Sequence, residues 1–138
     1  MLSLFSLLTL ASPRLEYTMA FDFFRTTSFR LGAKLLRYVT LGKKTWNHII
    51  QERHRGHVQY NEKLIRETLQ NPDSIRQNED DLDVYLYIKK AEKYWVGPGI
   101  SVTTKEFRYF IVVVEKNRRF IITMYTSLKT QGGKQIWP

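Results

Sequence analysis

The segment RYFIVVVEKNRRFIITMYTS, residues 108–127, restricts the fold more than any other: two β-branched, aromatic runs flank the polar turn EKNRR. Such residues favour strands, and so short a connection closes an antiparallel hairpin, because parallel strands need a crossover of a dozen residues or more. DVYLYIKKA at 83–91 reads as a further strand and SIRQN at 74–78 as a short one. Upstream, FDFFRTTSFRLGAKLLRYVTLGKK, punctuated by Gly32 and Gly42, predicts two strands near 23–31 and 34–41.

Two helices are expected between these β regions. Thr45 can cap the first, which carries Trp46, Ile49, Ile50 and Arg53 on one face and ends near Gly56. The second runs from Tyr60 or Asn61 to about Leu69, with Leu64, Ile65, Thr68 and Leu69 as its buried stripe. Pro72 ends it, since it disfavours helix at Asn71 and lacks the N–H that continues the ladder. The GPG at 97–99 reads as a loop, and the Gly-Gly of LKTQGGKQIWP as a flexible point.

The expected fold is therefore α+β: two helices packed on an antiparallel sheet of about four strands, with an extra N-terminal β segment. Residues 1–20 are expected to form an apolar tail outside the domain, and residues 21–138 a single domain, since 138 residues suffice for one core. The opening MLSLFSLLTLASPR is too short to span a bilayer and lacks the basic n-region of a secretory signal. With no cysteine in the chain, a cytoplasmic location without a membrane span is expected, an exported form being the weaker alternative.

Charge narrows the partners. Lys and Arg number 22 against 13 Asp and Glu, a net charge of +9. Seven of the acids but only three of the bases lie in residues 62–83, leaving 19 basic and six acidic residues elsewhere. Anionic partners follow: RNA, DNA or an acidic protein. The acidic NEDDLD at 78–83 is most simply an exposed turn, and most of the aromatic residues lie within apolar runs and belong to the core.

All three histidines lie in TWNHIIQERHRGHVQYN, at His48, His54 and His57. Their spacings of six and three miss the i, i+4 pattern of helical metal sites, and Glu52 is the one acid among them, so no metal is expected. An imidazole titrates near neutrality and can pass a proton both ways; His54, between Arg53 and Arg55, is the candidate, with a solvated helix-end residue as the plainer alternative. In the last long strand, a two-residue period puts Ile122, Met124 and Thr126 on one face and Arg119, Ile121, Thr123, Tyr125 and Ser127 on the other.

TWNHIIQERHRG, then LIRETLQNPDSI, a β region and YFIVVVEKNRRFIITMYTS, resembles in order the motifs of the phage-associated branch of the barnase/EndoU/colicin/RelE-like nuclease superfamily. The resemblance spans residues 45 to about 128, and GGKQIW resembles a common tail; RHRG departs from the expected RHPE. It implies a small metal-independent endoribonuclease without a cofactor, a toxin or phage-borne effector, acting on RNA such as tRNA and held by an acidic antitoxin or immunity protein. Carried over, it implies His54, His48, Thr123 and Tyr125 as catalytic residues; metal-free cleavage also needs a cation on the substrate phosphate, for which Arg53 or Arg119 is the candidate. His48 and His54 would stand about 240° apart on one helix, which favours one histidine with hydroxyl and guanidinium partners. The alternative is a non-catalytic basic module binding RNA or protein. Oligomeric state stays open.

Overall fold

A computed structural model describes residues 28–52, 56–103, 108–130 and 132–138. In chain order the elements are β1 (Phe29–Ala33), β2 (Arg37–Leu41), α1 (Lys43–Gln51), a 3-10 helix (Gly56–Tyr60), α2 (Glu62–Gln70), β3 (Ser74–Gln77), β4 (Val84–Lys90), β5 (Lys93–Gly97), β6 (Ile100–Thr103), β7 (Tyr109–Glu115), β8 (Phe120–Ser127) and β9 (Lys134–Trp137). Seven strands form one sheet in the order β1-β2-β8-β7-β4-β3-β9, and β5 and β6 form a separate hairpin.

The expectation of two helices on an antiparallel sheet of about four strands, with an extra N-terminal β segment, is overturned. The described chain is mostly β, and the upstream hairpin is no appendage. The Thr40 amide donates to the Arg119 carbonyl at 2.7 Å, joining β2 to β8 in parallel and making the sheet mixed. The C-terminal segment is likewise built in, because β9 pairs antiparallel with β3 at the far edge. Gly97 closes β5, and Pro98 and Gly99 turn the chain into β6, so the expected loop is a hairpin turn.

α1 begins at Lys43, two residues before the expected cap, with Gly42 at its N-cap, and ends at Gln51 rather than near Gly56. Its amphipathic spacing still holds: Trp46 and Ile49 are buried, with Ile50 packed beside them. α2 starts after Asn61 and ends at Gln70, burying Ile65, Thr68 and Leu69. Both helices cover one face of the sheet, where Leu31, Val39, Leu41, Ile75, Tyr87, Phe110, Val112, Val114, Ile121 and Met124 complete the main core. The Tyr87 hydroxyl donates to the Lys34 carbonyl, and the Lys34 amide to the Leu69 carbonyl at 2.8 Å, pinning the β1–β2 loop to the end of α2.

A bulge corrects the expected faces of β8. Val113 lies opposite Thr123 but Val114 lies opposite Ile121, so Ile122 is an extra residue and stands 40% exposed. Ile121 therefore joins Met124 in the helix-covered core, not Thr123 and Tyr125. The opposite face carries a smaller cluster of Val84, Leu86, Ile88, Ile111 and Val113, against which Tyr109 and Tyr125 pack. No helix among the described residues is long and apolar enough to cross a membrane.

Candidate functional site

Among the described residues, the face of the sheet away from the helices carries a cluster of cationic, phenolic and hydroxyl side chains. On β1 and β2 the alternation that buries Leu31 and Val39 turns Arg30 and Tyr38 to this side. Tyr38 packs against two guanidiniums: Arg30 Cζ is 4.5 Å from its ring centroid and Arg119 Cζ 5.1 Å. Arg119 reaches it from the turn before β8, where its backbone takes the left-handed φ of 56°. That conformation is uncommon for a side-chain-bearing residue, and here its carbonyl accepts the β2–β8 bond while its guanidinium packs on β2.

The electrostatic consequence falls on the phenol. A hydrogen bond from Arg119, then the charge of Arg30, holds Tyr38 below the ordinary tyrosine range, against a smaller upward push from burial. Two cations held within reach of one another by a shared aromatic ring form a local excess of positive charge suited to a phosphate.

Thr123 and Tyr125 follow on the same face of β8 and are half-buried. Their partners on β7 lie two and four pairs from that of Phe120, so they stand roughly 7 and 13 Å along the strand from the Arg119 end. Phe120, Thr123, Tyr125 and Ser127 form a row. Glu115, opposite Phe120, is an acid on this face, and its carboxylate accepts from the amides of Asn117 and Arg118 at 2.8 and 2.9 Å in the β7–β8 turn.

Of the residues singled out from sequence, Arg119, Thr123 and Tyr125 share this face, whereas His48 does not. His48 projects from α1, on the helix-covered side, with its side chain 77% exposed and its Nε2 3.1 Å from Glu52 Oε1. His54 and Arg53 lie outside the described residues. His57 is exposed on the 3-10 helix. Among the described residues no three His, Asp or Glu side chains converge as metal ligands would.

No family model, curated protein or solved structure matches the chain. Two residues of the cluster, Arg30 and Tyr38, escaped the sequence reading. Alternation in RLGAKLLRYV could have put them opposite Leu31 and Val39, but nothing in sequence brings Arg119 to them, 81 residues from Tyr38 and 89 from Arg30.

Proposed function

We propose that the protein is a metal-independent endoribonuclease in which the substrate's own 2′-hydroxyl attacks the adjacent phosphorus. The O2′–P bond forms and the P–O5′ bond breaks, leaving a 2′,3′-cyclic phosphate and a free 5′-hydroxyl. One group must take the 2′ proton, another must protonate O5′, and cations must meet the charge on the non-bridging oxygens.

The observation that carries this reading is the pair of guanidiniums, Arg30 and Arg119, gathered on Tyr38 beside the hydroxyl row of β8. Arg30 and Arg119 neutralise the phosphorane, and Tyr38, a more acidic phenol than usual, donates toward the leaving oxygen. Thr123 and Tyr125 position the strand. The base is His54, a role supported by its place between Arg53 and Arg55 in the sequence and by the resemblance. An acidic inhibitor would act by occupying the same guanidiniums.

The separation of Thr123 and Tyr125 from the arginines favours one competing reading, a basic RNA-binding module without turnover. Product formation separates the two. Wild type, His54→Ala and the double variant Arg30→Gln/Arg119→Gln are incubated with total tRNA and a long mixed RNA in EDTA, and the product ends examined. Cyclic-phosphate fragments from wild type, reduced about 100- to 10,000-fold by His54→Ala, are expected. Intact RNA throughout, with salt-sensitive binding retained, would leave the binding module.

A further inference from the structure

A second cleft lies between the 3-10 helix, α2 and β5, and none of its residues belongs to the sheet face described above. It measures about 220 Å³ and is lined by Tyr60, Asn61, Lys63, Leu64, Glu67, Lys93 and Trp95. That is below the roughly 300–1,000 Å³ of sites that enclose a drug-sized ligand. It suits one planar ring.

Its floor is fixed by a buried asparagine. Asn61 is 2% exposed; its Oδ1 accepts from the Trp95 amide at 2.9 Å while its Nδ2 donates to the Trp95 carbonyl at 2.8 Å and the His57 carbonyl at 2.9 Å. The backbone of Trp95 is thus clamped to the start of α2. Tyr94 is buried in the core, so alternation turns Trp95 and Lys93 outward together, opposite Ser101 and Thr103 of β6. The Lys93 ammonium sits 4.5 Å from the centroid of the Trp95 ring. Lys63 and Lys93 are exposed at the rim, and Tyr60 and Trp95 are half-buried.

An aromatic plane on a clamped backbone, with the exposed Lys93 ammonium over it free to swing to a phosphate as a base takes its place and Lys63 at the rim, meets what sequence-tolerant capture of single-stranded nucleic acid requires: the base stacks and the backbone meets the cations. Glu67 adds selectivity. An ionised carboxylate accepts from an exocyclic amine, as carboxylates do from cytosine N4, and repels the carbonyl oxygen that uracil carries there.

We propose that this cleft is a nucleobase subsite: an unpaired base of single-stranded RNA stacks on Trp95, flanking phosphates meet Lys63 and Lys93, and Glu67 selects amine-bearing bases over uracil. The inference rests on the RNA reading above and adds a site and a preference to it.

The test measures binding of 2′-O-methylated oligocytidylate and oligouridylate hexamers, which lack the attacking hydroxyl, by fluorescence anisotropy. Wild type is expected to hold oligocytidylate more tightly. Trp95→Ala should weaken that binding about 5- to 100-fold, and Glu67→Ala should abolish the preference. Arg30→Gln/Arg119→Gln should retain the preference. Lys63→Glu/Lys93→Glu alters exposed side chains only, so it gives a readout if Trp95→Ala fails to fold, and it too should weaken binding. If this pair and a folded Trp95→Ala bind both hexamers as wild type does, while wild type still cleaves RNA, the subsite is overturned and the RNA reading survives. Wild type that neither binds a hexamer nor cleaves RNA overturns both.

Discussion

Asn61 shows how one side chain can tie together segments that the sequence keeps apart. An asparagine before an apolar helical stripe is a natural N-cap, yet its side chain makes no capping bond and instead bridges the 3-10 helix to β5, 34 residues on. Asn61→Ala would leave the amide and carbonyl of Trp95 and the carbonyl of His57 without these partners. A loss of about 2–4 kcal/mol is expected in chemical denaturation, from the cost of burying unpaired backbone groups. Tyr38 offers a second measurement at this scale. Because Arg119 and Arg30 favour its ionised form, Tyr38 should titrate below the ordinary tyrosine range by ultraviolet absorbance, and Arg119→Gln should raise it more than Arg30→Gln. A depressed pKa stabilises the fold above the unfolded-state value near 10, and that contribution disappears as pH falls through the folded value.

Among the elements, α2 was the most legible, because its buried stripe, the asparagine at its start and Pro72 after its end agree. The ends of α1 differ from those its sequence predicts: Thr45 can cap a helix, but the helix already starts after Gly42 and stops at Gln51. The faces of β8 were misread for a definite reason. A two-residue period assumes unbroken pairing, and the extra Ile122 moves Ile121 to the other side, a shift visible only beside the partner strand β7. The sequence predicts a tail around a flexible Gly-Gly, whereas Gly133 is the residue that lets β9 dock. Gly133 has φ +113°, and a Cβ there would run into the Gln77 carbonyl oxygen. Gly133→Ala is therefore expected to cost about 2 kcal/mol or more and to release β9. Hydrogen exchange should show faster loss of protection in β3 and β9 than in β7 and β8; equal protection throughout would argue that β9 does not depend on that backbone angle.

For the whole molecule, the charge imbalance predicts a salt dependence that the paired sites make quantitative. If Arg30, Arg119, Lys63 and Lys93 each meet one phosphate, the logarithm of RNA affinity should fall with the logarithm of salt at a slope of about −3. Arg30→Gln/Arg119→Gln should flatten that slope by about 1.4, whereas a variant that only disturbs folding would lower affinity without this change. Residue types and short-range periodicity established the excess of basic charge, the lack of cysteine and a strand-rich second half. Local chemistry likewise marked Pro72 and the amphipathic stripe of α2. The joining of β2 to β8, the docking of β9 on β3 and the meeting of Arg30, Tyr38 and Arg119 came from contacts between segments tens of residues apart. Such contacts form because strands with unpaired edges and one apolar face must find partners, and which partners they find depends on packing the entire sheet against α1 and α2.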